Sequence, residues 1–297
     1  MSSSSRLLAV CVDDFGLHAG VNAAVLDLLA LGRISAVSCL VDGATWSQDA
    51  SALKTAAYAI GAHGERQADV GLHLNLTECL DPVAQAACPS RPLGALIQAA
   101  YLRRLDPACL RREVSRQWDR FVEMWGAEPD FIDGHQHVHQ LPQVREALAA
   151  VLADKLTAGA RPWVRRCRAP GWRACLEPRF WGDAVKAEVI GALGSAALSR
   201  RMQRLGVPTS AHLLGVYPFD ADESAYLQRW RGWLNQSAPR GDVIMCHPAK
   251  PGVSVDGVPD VIGPSREMEY RVLTGAAWGA LLVSASVRVA PLSGTLR

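Results

Sequence analysis

After a short polar lead, the chain runs unbroken through Leu7-Leu8-Ala9-Val10-Cys11-Val12, the pattern of a parallel strand buried on both faces. That run stops at Asp13-Asp14-Phe15-Gly16, after which apolar positions recur with helical period over about 21–31 until Gly32 ends them. The rhythm then repeats. A strand over about 34–41 precedes a helix near 48–60, and residues 69–76 alternate strictly, with Val70, Leu72, Leu74 and Leu76 on one face and Gly71, His73 and Asn75 on the other. Residues 78–105, proline-bearing and without period, read as a long excursion over the strand ends. A helix over 107–125, stopped by Gly126, leads to a strand at 129–133, and Pro142 opens a helix to about 156. Residues 163–168 read as a strand, 183–205 as a helix, 226–234 as a helix, 242–246 as a short buried strand, 265–274 as a helix and 280–289 as a closing strand.

Parallel strands need crossover connections, which are usually helical, so this alternation predicts an α/β fold with a parallel sheet or barrel. Active sites in such folds gather at the carboxyl ends of the strands. Polar groups able to do chemistry stand at four predicted strand ends: Asp13-Asp14, His73, the stretch Asp133-Gly134-His135-Gln136-His137-Val138-His139, and His247. Two adjacent carboxylates after a buried strand raise one another's pKa unless a cation or a shared proton relieves them. If the histidine stretch continues its strand, Asp133, His135, His137 and His139 share a face. At roughly 3.3 Å per residue His135 and His139 then lie about 13 Å apart, too far to grip one ion. Parity does not choose between His135 and His137. A carboxylate with two imidazoles makes a divalent-metal site with open positions, leaving an Asp and a His for base and acid.

Composition narrows the partners. With 49% hydrophobic and 20% charged residues the 297-residue chain is expected to fold as a globule, and a formal net charge of +2 gives no reason to expect nucleic acid. The arginines at 103, 104, 111, 112, 116 and 120 read as a solvated helix face. No segment has the roughly 18 uninterrupted apolar residues of a spanning helix. The eight cysteines are scattered without a C-x-x-C pair and read as reduced thiols, so the expected location is cytoplasmic.

The motifs Asp13-Asp14-Phe15-Gly16, Gly71-Leu72-His73-Leu74, Asp133 to His139 and Cys246-His247-Pro248-Ala249, in this order and at these separations, resemble those of the YdjC-like carbohydrate deacetylases, which include chitooligosaccharide and hopanoid-associated deacetylases. The resemblance spans most of the chain. It implies one domain over 1–297 with a distorted (β/α) TIM-like barrel, and metal-dependent removal of the N-acetyl group from an N-acetylated amino sugar or oligosaccharide. Carried over residue by residue, it implies Asp14, His73 and His135 as metal ligands, Asp13 as base, His247 as acid, and Arg165 or Arg168 as partner of Asp13. His137, Asp133, Arg165 and Arg168 are the further candidates for substrate contact. It suggests magnesium as the metal, whereas the imidazole ligands also suit zinc. A covering region at about 172–210 and the loop at 249–264 are the parts most able to line a sugar pocket. Two alternatives are another barrel metallohydrolase, acting on a phosphoester or cyclic amide, and a non-catalytic sugar- or metal-binding protein. A homodimer is an expectation that no residue pattern argues for.

Overall fold

The computed structural model describes residues 6–61, 64–171, 178–238, 241–253 and 260–296. Its centre is β1 (Arg6–Phe15), ten residues that pair in parallel with β2 (Ala36–Cys39) on one side and β7 (Val243–Cys246) on the other, while its first residues also pair with β8 (Val287–Val289). From β2 the sheet continues through β3 (Asp69–Leu74) and β4 (Phe131–Gly134) to β5 (Trp163–Val164); beyond β7 it ends at β6 (Leu213–Leu214). The two outer edges are drawn together by the segment before β6. Val164 N donates to Pro208 O (2.9 Å), Ser210 N to Val164 O (3.1 Å) and Leu213 N to Arg168 O (2.8 Å), so the parallel sheet curls into a distorted barrel.

Strand parity sorts the core into two clusters. Val10 and Val12 of β1 face the helices, whereas Ala9 and Cys11 face inward with Phe131, Trp163, Leu213, Val243 and Met245, all fully or nearly fully buried. The helices are α1 (Ala19–Ala30), α2 (Trp46–Tyr58), α3 (Leu93–Tyr101), α4 (Pro107–Trp125), α5 (Val144–Thr157), α6 (Trp181–Ala192), α7 (Ser195–Arg204), α8 (Glu223–Gln236), α9 (Gly263–Thr274) and α10 (Ala276–Ser284). The amphipathic α4 shows why the local sequence suffices. Asp106 caps it by accepting from Ala108 N, Pro107 occupies its first turn, and Gly126 leaves it in the left-handed region at φ 71°.

Several expectations need correction. The predicted strand over 280–289 begins inside α10, which runs to Ser284, and only β8 is extended, because an apolar run as short as Ala280-Leu281-Leu282-Val283 carries no period that separates helix from strand. The single helix over 183–205 is two, broken at Gly194, where φ is 150° and a Cβ would fall 2.1 Å from Gln140 O. The excursion at 78–105 contains α3, and β6 was not anticipated. Cys88 and Cys109 form a disulfide, with Cα atoms 5.5 Å apart, so the reduced-thiol reading fails for this pair; 21 residues of separation give no hint that the excursion folds back onto α4. Cys175 and Trp172 lie outside the described residues. Among the described residues, no helix is long and apolar enough to cross a membrane.

Candidate active site

Asp13 and Asp14 stand just before the end of β1, where its register against β2 shifts between Val12 and Phe15. Successive side chains of a regular strand face opposite ways, but Asp14 has φ 70°, and this left-handed residue lets both carboxylates line one cavity. The cavity, about 370 Å³, lies at the carboxyl ends of the strands and is also lined by His73 from β3, by His135 and His137 after β4, and by His247 after β7.

The histidine stretch does not continue its strand. β4 stops at Gly134, and 135–140 form a tight 3₁₀ turn in which Gln136 and His137 have φ of 52° and 62°. His135 therefore turns to Asp14, with Nδ1 2.9 Å from Oδ1. His137 lines the cavity, and its buried Nδ1 has no hydrogen-bond partner among the described residues. His139 packs away, its Nε2 2.8 Å from Arg165 O.

Asp14 is the hub of the first cluster. Its Oδ1 also lies 3.3 Å from His73 Nε2, and its Oδ2 accepts from Arg266 of α9 at 2.7 Å. One ligand atom from each of Asp14, His73 and His135 falls within 4.8 Å of the others. Burial would strip both imidazoles of charge, yet the carboxylates around them win. Asp133 and Asp13 push His73 up to about 10, and Asp14 pushes His135 up to about 9. Two nitrogens and one oxygen, converging where positive charge is favoured, fit a divalent cation. A second cluster, Cys11, Asp13 and Asp133, brings its ligand atoms equally within 4.8 Å of one another but is already filled by a cation. Arg165 NH2 lies 2.6 Å from Asp13 Oδ1, 2.6 Å from Asp133 Oδ2 and 2.8 Å from Cys11 Sγ, while NH1 donates to Asp13 Oδ2 at 2.6 Å. Burial opposes ionisation of Asp13, but this guanidinium outweighs it and holds the carboxyl below the usual range.

His247 Nε2 lies 4.0 Å from Asp13 Oδ2, and its buried Nδ1 has no partner among the described residues. Burial pushes the ring down to about 4 despite Asp14 and Asp13. Its backbone N–H donates to Glu269 Oε2 at 2.6 Å, and Tyr217 Oη donates to Glu269 Oε1 at 2.6 Å.

The candidates for substrate contact separate. His137 borders the cavity; Asp133, fully buried, stands behind His73 with Oδ1 2.6 Å from its Nδ1 and accepting from Ser38 Oγ, so it orients a ring and does not face the cavity. Arg165 is likewise fully buried on Asp13, and Arg168 is exposed and does not line the cavity. The region at 172–210 contributes Lys186, Ile190 and Leu193 to the wall, and the loop at 249–264 contributes Asp260, Val261 and Ile262. Residues 254–259 of that loop lie outside the described residues. Glu78, Ser38, Arg266 and Glu269 were missed. Glu78 and Ser38 sit in segments without a motif, and Arg266 and Glu269 are charged groups on a helix, where a solvated face is the ordinary reading.

The family model of the YdjC-like proteins matches residues 7–284. The chain belongs to that family. Among curated relatives, a carbohydrate deacetylase of Danio rerio is 34% identical over 156 residues, 50% of this chain and 46% of that protein, so the match spans about half of the relative's length. A chitooligosaccharide deacetylase of Klebsiella pneumoniae is 30% identical over 211 residues, 68% of this chain and 80% of that protein. A crystal structure from Enterococcus faecalis V583, of a protein described as a candidate for cellobiose-phosphate cleavage, superposes with a TM-score of 0.65 at 16% identity, covering 99% of this chain and 100% of that one. At that identity it speaks for the fold of this YdjC-like chain and for nothing further.

Proposed function

We propose that this YdjC-like chain is a metal-dependent carbohydrate deacetylase that hydrolyses the N-acetyl group of an N-acetylated amino sugar or oligosaccharide. The observation that carries this reading is the convergence in one cavity of two separately built clusters: Asp14, His73 and His135 as a ligand set, and Asp13 with His247 as a proton-transfer pair. The named activities of the family relatives point the same way. Asp14, His73 and His135 would hold one divalent cation, magnesium or zinc, which supplies Lewis-acid polarisation of the acetamide carbonyl and makes water more acidic.

The rest of the chemistry falls to the chain. Arg165 keeps Asp13 ionised and aimed into the cavity, so Asp13 takes a proton from the attacking water. His247 enters the cycle unprotonated, because burial keeps it so at neutral pH. The proton leaving water reaches the departing amine by way of Asp13 and His247, general acid–base assistance typically worth about 10²–10⁴-fold. His137, with Nδ1 unpartnered among the described residues, is placed to meet a polar group of the sugar. Leu17, Val216, Phe219 and Met245 line the cavity and exclude bulk water, which strengthens each of these interactions.

The test is acetate release from a panel of N-acetylated amino sugars and chitooligosaccharides, with metal-stripped protein and after adding magnesium, zinc or cobalt. Release is expected only with metal; Asp13→Asn should retain metal and lose at least about 10²-fold in turnover. Loss of metal by Asp13→Asn would reverse the roles of the two aspartates, and metal-independent release would sink the proposal.

A further inference from the structure

Glu78 has no role in the chemistry just described, yet its carboxylate lines the same cavity with Oε1 3.0 Å from Nε2 of His135. The other ring nitrogen, Nδ1, is the one 2.9 Å from Asp14 Oδ1. His135 is thus held at both edges. His73 has the same arrangement with the nitrogens exchanged: Nδ1 is on Asp133 at 2.6 Å, and Nε2 faces Asp14 at 3.3 Å. An imidazole that ligates a metal commonly gives its remaining N–H to a carboxylate, which fixes the tautomer, orients the ring and raises the basicity of the ligand atom.

Glu78 sits on a built turn. Asn75 Oδ1 accepts from the backbone N–H of Thr77 and of Glu78, each at 3.0 Å, and Asn75 Nδ2 donates to Glu78 O at 2.8 Å. Gln85 Nε2 donates to the same carbonyl at 3.2 Å. Asn75 is itself clamped by Gln117 of α4, which accepts from its N–H (3.0 Å) and donates to its carbonyl (2.7 Å). Asn75 and Gln117 are both buried, so the turn that presents the Glu78 carboxylate is anchored in the fold.

We infer, resting on the reading that Asp14, His73 and His135 hold a divalent metal, that Glu78 is the positioning residue of His135. It accepts the Nε2–H and leaves Nδ1 as the ligand atom, so the site uses Nε2 of His73 and Nδ1 of His135.

Cobalt(II) titrated into metal-free protein, followed by its visible absorption and by competition with zinc, tests this on wild type, Glu78→Ala and Glu78→Gln. Glu78→Ala should bind cobalt about 10–100-fold more weakly, and KM for the acetylated sugar at saturating cobalt should stay at the wild-type value. Glu78→Gln, whose amide oxygen still accepts, should stay within a few-fold of wild type. Long-range proton–nitrogen correlation spectra of the zinc-loaded wild type should put the His135 proton on Nε2, whatever the variants do. A proton on Nδ1 overturns the inference. Wild-type cobalt affinity in Glu78→Ala overturns it too, as does a raised KM with unchanged affinity, which would place Glu78 on the substrate. A wild type that binds neither metal sinks the deacetylase reading and this inference together, whereas metal-dependent acetate release with no effect of Glu78→Ala on affinity sinks only the inference.

Discussion

Asp13 and Asp14 are neighbours whose environments diverge within one peptide unit. Arg165 holds both oxygens of Asp13, and the left-handed backbone of Asp14 hands its carboxylate to His73, His135 and Arg266. A third acid nearby behaves differently. Glu269 is fully buried with no cation bonded to its carboxylate among the described residues, and burial raises it to about 7 against the bonds from Tyr217 and His247 N. Its proton is held more tightly in the folded chain than in the unfolded one. The stability it contributes is therefore present below about pH 4.5 and lost as pH rises through about 7, up to about 3 kcal/mol in all. Glu269→Gln can accept from His247 N and donate to Tyr217, so it should fold and flatten the change in urea midpoint between pH 5 and pH 8; an unchanged slope would assign the pH dependence elsewhere. At this scale the sequence was most legible where a polar residue follows a buried strand, as at Asp13, Asp14, His73 and His247. It was silent where the partner comes from another part of the fold, as for Glu78, Arg266 and Glu269, because only tertiary packing brings those groups in.

Among the elements, the turn after β4 decides most about the site. An alternating strand would have set His135, His137 and His139 on one face; the positive φ of Gln136 and His137 instead fans them toward Asp14, the cavity and the backbone of Arg165. No sequence period encodes that fan. Gly134 permits it by absence of a side chain: its φ of −158° suits any residue, but a Cβ there would lie 2.9 Å from both the backbone N and Nδ1 of His139. Gly134→Ala should push the turn outward, costing about 1–3 kcal/mol by overpacking and weakening metal binding at least several-fold. Thermal unfolding with a parallel metal titration checks both, and unchanged metal affinity would mean that the turn yields without moving His135. The helix α9 is a second organising element. Arg266 reaches Asp14 and Glu269 receives His247 N, so residues three apart on one helix face hold parts of both clusters.

The whole molecule was legible in outline because burial on both faces of a parallel sheet leaves continuous apolar runs, and β1, β2, β3, β4 and β7 all show them or their alternation. What escaped were features set by long-range closure. β6 is two residues long, the Cys88–Cys109 bond joins segments with no shared motif, and the last apolar run divides between α10 and β8. The barrel's closure is also only lightly reinforced. Among the described residues its two edges are joined by three main-chain hydrogen bonds, at Val164, Ser210 and Leu213, whereas β1 is paired along both sides. Slow breathing of this molecule should start there. Amide hydrogens of Val164, Ser210 and Leu213 should exchange with deuterium faster than those of Val10, Val12 and Leu72, and equal protection across the wall would mean that the barrel opens as one unit. Because Val216, just beyond that seam, lines the cavity, parting it would open a route into the cavity from the side as well as from its mouth.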